Sequence, residues 1–372
     1  MTQQRELLDL RERLPSARPV VRRDRPSWPV PTAPPDLVVV PTGEPGAESW
    51  IRPGRTLLVA STGGHLDELY QLRKRFRPVL DQVEWATFDT PQARQLLADE
   101  VVHYVPFAKS RDAKGALLDG VEAIRLLGSH RFVRVISTGA AVAVPFLGLA
   151  RGNKLAAHYI ESAARSEGLS LSGQMVAKLP GVRMYGQYPS WTSGRVQFRG
   201  SVFDGFTQGA PRPVGPLDKV VVTFGTQRDF GFRRALEALV RVLPELCSPS
   251  VEILWQTGST DTSGLPVEGV AEVSRGELQQ AMSEADLVVS HSGVGTALMA
   301  LEQGRCPLLM PRRHSFAEHA DDHQQLIAEE LGRRGLAIWA DPGDLTTGDI
   351  EVAARMRAVG SAEPPPFLLQ PD

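Results

Sequence analysis

From Arg55 onward the chain alternates short apolar runs with stretches whose apolar residues recur every three or four positions. The first half carries the runs TLLVAS, VEWATF, VVHYVPF, FVRVIST, AAHYIE, VRMYGQ and VQFRGS. The second carries KVVVTFG, VEILWQTG, GVAEVS, DLVVSHS, CPLLMP and GLAIWA. Amphipathic helical patterns such as FRRALEALVRVL and HQQLIAEELGRRG lie between many of them. Strands that are apolar on consecutive residues are covered on both faces, the habit of parallel strands flanked by helices. The segment DGFTQGAPRPVGPLD, residues 204–218, has Gly and Pro but no apolar period and reads as a linker. The pattern therefore predicts an α/β protein of two Rossmann-like domains, 55–203 and 219–345, with parallel sheets facing a cleft and a tail over 346–372. Residues 1–54 hold ten of the 29 prolines and no sustained period, so they read as a disordered Pro-rich arm. Within it, TQQRELLDLRERL at 2–14 reads either as a short amphipathic helix or as a solvated end.

Composition narrows the classes. The 372 residues are 42% hydrophobic and 23% charged, enough to bury sizeable cores, and the net charge of -2 gives no general nucleic-acid signature. The two cysteines, Cys247 and Cys306, fit neither a zinc spacing nor a disulfide framework, which points to a reducing cytoplasm. The N-terminus is polar and no run of about 18 apolar residues occurs, so neither a signal peptide nor a spanning helix is expected.

Ligands of open parallel sheets bind beyond the carboxyl ends of the strands. Four turns at such ends are bare. They are Ser61-Thr62-Gly63-Gly64-His65, Thr138-Gly139-Ala140-Ala141, Gly225-Thr226-Gln227 and Ser292-Gly293-Val294-Gly295-Thr296. Glycine lets a backbone come close to a ligand, and the N–H groups opening the next helix favour an anion. None is a Walker A loop or a full G-x-G-x-x-G, and any one of them serves turn geometry alone. Four together predict a nucleotide or diphosphate site.

Two polar clusters accompany these turns. In PRRHSFAEHADDHQQ, residues 311–325, His319 and His323 are four apart, with Glu318 and Asp322 beside them. That spacing suits a metal, although the H-E-x-x-H order is absent; the alternative is a polar rim for sugar hydroxyls. No D-x-D occurs. In HYIESAARSEGLSLSG, residues 158–173, Glu161 and Arg165 read either as a surface pair or as groups at a strand end. The segment AAVAVPFLGLA, 140–150, reads as a core helix or as an apolar lipid contact.

These motifs, in this order, resemble glycosyltransferase family 28, the MurG-like enzymes. VASTGGHLDEL, ISTGAAVAVP and YIESAARSEGLSLSG resemble the acceptor-side component of two-component UDP-sugar transferases. VVTFGTQRDFGF, ILWQTGS, ADLVVSHSGVGTALMALEQG and MPRRHSFAEHADDHQ resemble the donor-side component. Here the two stand fused, as if the PssD/PssE pair, or the eukaryotic dolichol-diphosphate N-acetylglucosamine transferase pair, were joined. The resemblance covers roughly residues 56 to 340. It implies a GT-B fold and inverting transfer of a sugar from a UDP-sugar to a lipid-diphosphate-linked saccharide, as in cell-envelope or exopolysaccharide synthesis. It also implies a protein peripheral on the cytoplasmic membrane face. Carried over residue by residue, Gly225, Thr226, Gln256, Gly258, His291, Ser292, Gly293, Gly295 and Thr296 meet the donor nucleotide. Arg313, Glu318, His319, Asp322, His323 and Gln324 meet the sugar and its diphosphate. Gly63, Gly64, Gly139 and Arg165 line the acceptor side.

Inverting transfer needs a base, and His65 is the first candidate with Glu161 and Asp67 behind it; the alternative for His65 is a buried structural histidine. Backbone N–H groups of the 291–296 turn would hold the departing diphosphate, so no metal or other cofactor is required. One departure stands out: relatives carry a ribose-binding glutamate where this chain has Met299, and Glu302, one turn on, reads either as a partial replacement or as a solvated surface residue. Two other readings share the architecture, a UDP-sugar 2-epimerase and a non-catalytic nucleotide-sugar-binding protein.

Overall fold

The computed structural model describes residues 52–106, 113–128, 131–165, 167–191, 194–213, 215–225 and 229–372, so the arm expected over 1–54 lies almost wholly outside the described residues. Among the described residues one compact unit comprises 52–205 with Ser361–Asp372, and a second comprises Phe206–Gly360.

The N-terminal unit is built on β1 (Arg55–Ala60), β2 (Phe76–Arg77), β3 (Gln82–Phe88), β4 (Val101–Val105), β5 (Phe132–Gly139), β6 (Ala156–Ile160), β7 (Arg183–Gly186) and β8 (Val196–Phe198). Between them run α1 (Gly64–Arg73), α2 (Pro91–Leu96), α3 (Ala113–Leu127), α4 (Ala143–Gly152) and α5 (Leu171–Ala177). Seven strands form one sheet in the order β4-β3-β1-β5-β6-β7-β8, and every pairing is parallel. The chain winds outward from β1 through β3 to β4, then returns to the other side of β1 with β5. That reversal puts a topological switch point between the carboxyl ends of β1 and β5, where an open sheet leaves a crevice. Helix α4 buries Ala143, Phe146, Leu147 and Ala150 against the sheet, so 140–150 is a core helix.

The C-terminal unit follows the same plan. It has β9 (Phe206–Gln208), β10 (Leu217–Thr223), β11 (Cys247–Gln256), β12 (Gly269–Val270), β13 (Leu287–His291), β14 (Leu308–Met310), β15 (Ile338–Trp339) and β16 (Ala358–Gly360). Its helices are α6 (Arg233–Val242), α7 (Arg275–Glu284), α8 (Val294–Glu302), α9 (His323–Arg333) and α10 (Thr347–Arg355). The six-stranded parallel sheet runs β12-β11-β10-β13-β14-β15, with its switch point between β10 and β13. Successive strand residues face opposite sides of a sheet. Accordingly Val220, Val222, Leu287 and Val289 enter one core, while Val221 and Val288 join Met282 and Met299 in another. Burial on both faces accounts for the unbroken apolar runs in the sequence.

Two boundaries differ from the sequence reading. Within the expected linker, Phe206–Gln208 forms β9, paired antiparallel with β16. The expected tail is folded: Thr346 and Asp349 make a reciprocal capping box that starts α10, and Phe367–Leu368 (β17) pairs with β2. Segments of two or three paired residues carry no readable period, and their pairing is decided by tertiary contact.

Candidate active site

At the N-terminal switch point the turns after β1 and β5 touch, with Ser61 N–H donating to the Gly139 carbonyl at 3.0 Å. Gly63 precedes α1 with φ 87°, and the Gln92 side chain brackets it, accepting from Gly63 N–H at 2.7 Å and donating to Asp67 at 3.0 Å. His65 is half-buried in the first turn of α1. Its Nδ1 lies 2.8 Å from the Thr138 carbonyl, and the Thr138 hydroxyl donates to the His65 carbonyl at 2.8 Å. A carbonyl only accepts, so Nδ1 carries the proton and Nε2 keeps a basic lone pair. Burial lowers the His65 pKa, the Thr138 bond opposes that, and the Arg165 charge lowers it further. The ring is therefore neutral at neutral pH. Gly139, at φ 107°, leaves room for it: a Cβ there would stand 3.2 Å from Cε1.

Glu161 ends β6 as the strand-end reading required, and it is buried rather than paired on the surface. It accepts from the Ser170 N–H at 3.0 Å, the Ser170 hydroxyl at 3.1 Å and the Tyr159 hydroxyl at 3.3 Å. Burial raises its pKa in spite of those bonds. Glu161 is buried where His65 is partly exposed, so it is a less accessible base than His65. The sequence reading missed Glu68, one turn after His65 on α1. Buried Glu68 accepts from the Ser162 hydroxyl at 2.6 Å, Ala163 N–H at 2.8 Å and Gln187 at 2.8 Å. Burial pushes its pKa up to about 7 against those hydrogen bonds. Helix α1 is thus tied to the ends of both β5 and β6. The signal was a helical carboxylate three residues from the candidate base, but its partners are about a hundred residues away in sequence.

At the C-terminal switch point the His291 ring lies between two glycines. A Cβ on Gly225 would stand 2.8 Å from His291 Cε1, and one on Gly293 2.4 Å from its Nε2. The bareness of the 291–296 turn is therefore needed by the protein's own imidazole. Burial, with the Arg312 charge, lowers the His291 pKa to about 3. Gly293 is the N-cap of α8 and supplies no side-chain cap, while Gly295 and Thr296 in the first turn are partly exposed. An uncapped helix start of this kind suits an anion.

Around it buried polar atoms lack partners: Gln256 Oε1 after β11, His291 Nδ1 and Ser292 Oγ after β13, and Arg312 Nε after β14. Each such atom costs about 1–3 kcal/mol unless something else bonds it. Their convergence on neighbouring strand ends is the mark of a polar ligand site. Gly258, at φ 62°, turns the chain just beyond Gln256. Thr226 lies outside the described residues.

The structure redistributes the roles expected of 311–325. Arg313 is engaged: it bonds Asp341 at 3.3 Å and the Gln325 side chain. Its neighbour Arg312 is the buried guanidinium beside His291, donating to the carbonyls of Phe230 at 2.8 Å and Phe224 at 3.0 Å. Both Glu318 oxygens meet Arg234 at 3.0 Å and one also accepts from Arg313 N–H, so buried Glu318 shapes the loop. Gln324 Oε1 accepts from Arg312 N–H at 3.1 Å, and Asp322 accepts from His314 N–H at 2.8 Å. His319 and His323 are partly exposed, their ring centroids 4.7 Å apart, and both approach Asp321. The candidate ligand atoms of His319, Asp321 and His323 lie within 4.8 Å of one another, so Asp321 supplies the third metal-type ligand that the spacing had not revealed. The Arg312 charge bears on His319 and disfavours a cation there. Met299 is buried in the apolar cluster with Val221, Leu278 and Met282, and partly buried Glu302 closes the far end of α8.

Comparison with known proteins agrees with this geometry. Residues 219–338 match the glycosyltransferase family 28 C-terminal domain. The chain is 28% identical over 310 residues to the UDP-N-acetylglucosamine--N-acetylmuramyl-(pentapeptide) pyrophosphoryl-undecaprenol N-acetylglucosamine transferase of Parasynechococcus marenigrum, covering 76% of this chain and 82% of that protein. Among solved structures, the glycosyltransferase SnogD from Streptomyces nogalater superposes with TM-score 0.50 at 16% identity, over 81% of this chain and 93% of that one. The UDP-GlcNAc 2-epimerase of Methanocaldococcus jannaschii gives 0.50 at 10% identity, over 80% and 91%. The two superpositions establish the GT-B fold and are neutral between transferase and epimerase. The family 28 domain and the sequence relative decide between them: the chain is a MurG-like GT-B glycosyltransferase. Among the described residues no helix is long and apolar enough to cross a membrane.

Proposed function

We propose that this glycosyltransferase moves a sugar from a UDP-sugar to a lipid-diphosphate-linked saccharide, with inversion at the anomeric carbon, in building a cell-envelope glycan or exopolysaccharide. UDP-N-acetylglucosamine is the first donor to test, since the relative from Parasynechococcus marenigrum is named for it. The observation that carries the reading is the set of unpartnered buried atoms of Gln256, His291, Ser292 and Arg312 beside the uncapped start of α8. A nucleoside diphosphate supplies both what a helix start attracts and what buried donors and acceptors need. In this reading the acceptor hydroxyl oxygen attacks the anomeric carbon. The bond from that carbon to the UDP oxygen breaks with its electron pair, and the hydroxyl proton passes to His65 Nε2. Backbone N–H groups of α8 and the Arg312 charge stabilise the departing diphosphate. His319, His323 and Gln324 bound the sugar end, and Arg165 with Gly63, Gly64 and Gly139 the acceptor end. The protein works peripherally on the cytoplasmic membrane face, where a lipid-linked acceptor is found. The test is a panel of UDP-sugars with undecaprenyl-diphosphate-linked acceptors, read by mass spectrometry. A glycosylated lipid supports the proposal. Conversion of a UDP-sugar without acceptor would replace it by an epimerase.

A further inference from the structure

At the end of the N-terminal sheet remote from His65, the starts of β6 and β7 line a cavity of about 380 Å³ with Gly181 and the turn after α4. Its walls carry the side chains of four cations, Arg52, Arg151, Lys154 and Arg183, and of one acid, Asp372. That carboxylate is already committed. It accepts from Arg134 Nε at 2.9 Å, from Arg134 Nη2, and from the Arg52 backbone N–H at 2.8 Å, with His158 Nε2 3.6 Å away. These bonds hold its pKa well below the carboxylate range in spite of burial. Among the described residues no ion pair joins a side chain of the four lining cations to an acid.

The cations are also placed with some care. Arg151 donates to the carbonyls of Pro180 at 3.2 Å and Leu155 at 3.1 Å, and its guanidinium lies over Gly181, where a Cβ would stand 2.5 Å from Nη2. Arg183 is partly buried, and that burial, with the charges of Arg151 and Arg134, lowers its pKa against the opposing pull of Asp372. Lys154 holds a left-handed backbone, φ 59°, just after α4, where glycine is the unstrained choice. Crowded like charges are unfavourable until an anion joins them.

We propose that this cavity binds a phosphate-bearing ligand. Three guanidinium groups and an ammonium match the several oxygens and double charge of a phosphate group better than a lone carboxylate. The length of β6, five residues or roughly 16 Å at strand rise, separates the cavity from the Glu161 end of the sheet. The ligand is thus not the sugar donor, and the inference stands independently of the function proposed above. Its phosphate comes either from a soluble phosphorylated compound or from the headgroup of an anionic lipid.

The full chain, saturated with UDP to fill the donor site, is titrated with inorganic pyrophosphate by calorimetry at low salt. In parallel it is sedimented with vesicles of phosphatidylglycerol and phosphatidylcholine, or of phosphatidylcholine alone. Arg183→Ala weakens binding to at least one probe tenfold or more, and exposed Lys154→Ala weakens it several-fold, with UDP affinity unchanged in both. Loss confined to pyrophosphate assigns a soluble ligand; loss confined to the anionic vesicles assigns a lipid headgroup. The proposal is overturned if the wild type binds neither probe, if both variants bind like the wild type, or if UDP affinity falls in step.

Discussion

The two units share one topology and treat their switch points in opposite ways. In the N-terminal unit the polar side chains are mutually bonded: His65 to Thr138, Glu68 to Ser162, Ala163 and Gln187, and Glu161 to Ser170. His65 Nε2 keeps a basic lone pair there. In the C-terminal unit Gln256, His291, Ser292 and Arg312 each keep a buried atom without a partner. A region whose polar side chains bond mainly to one another positions a reactive atom. A region whose hydrogen bonds are incomplete receives a ligand. In the function proposed above, the same fold thus serves one site for a proton acceptor and another for a nucleotide, according to which polar groups are left unsatisfied.

The largest effect should come from removing that one reactive atom. His65→Ala is expected to lower turnover by roughly 10²–10⁴, the range for a general base, while UDP affinity measured by calorimetry stays at the wild-type value. Equal losses in both would mean that the N-terminal switch point also binds donor. Next comes Gly293→Ala, whose Cβ would meet His291 Nε2 at 2.4 Å. It should weaken UDP binding by about 1.5–3 kcal/mol, the scale of a hydrogen bond to a charged group, as the ring is pushed out of line. Unchanged affinity would show that the His291 position is irrelevant to the donor.

A pH series sharpens the contrast from the other side. The folded Glu68 pKa of about 7 lies above the ordinary 4.5, so the folded protein holds a proton that the unfolded chain releases. The stability this contributes is complete below about pH 4.5 and is lost as pH rises through about 7. Glu68→Gln mimics the protonated acid at every pH. The melting temperature of the wild type relative to this variant should therefore fall between about pH 5 and 8, by on the order of 5 °C. A difference that does not change with pH would mean that Glu68 is ionised in the fold throughout. The smallest effect concerns Glu302, eight residues beyond Val294 on α8 and so about 12 Å along the helix axis from its start. Glu302→Ala should leave UDP affinity within about twofold, and a larger loss would restore it as a ribose contact.

Much of this was legible beforehand. Each of the thirteen apolar runs contains a strand; the central strands are apolar on consecutive residues because both faces of the sheet are buried, whereas the edge strands β4 and β12 are largely exposed. The four glycine turns were legible because they follow those strands directly. The short strands β2, β9, β16 and β17 were not, since they lie outside the apolar runs and their pairing is set by tertiary contact. The reading of 311–325 set Arg313 and Glu318 against the donor, and the fold engages both with neighbouring charges. Sequence shows that Arg312, Arg313 and Glu318 are charged, but only the folded chain shows that Glu318 is bound to Arg234 and that Arg312 rather than its neighbour is buried. Met299 was read as a lost ribose contact, and its side chain instead belongs to a core. Glu68 and Asp321 escaped because their partners are assembled by the fold.

Hydrogen exchange of the full chain with and without UDP-N-acetylglucosamine tests the contrast most directly. The account predicts that the donor protects backbone amides at 224–225, 256–258, 291–297 and 311–325, and leaves 61–68, 137–141 and 160–165 unchanged. Protection confined to the second set, with none around 291–297, would contradict it.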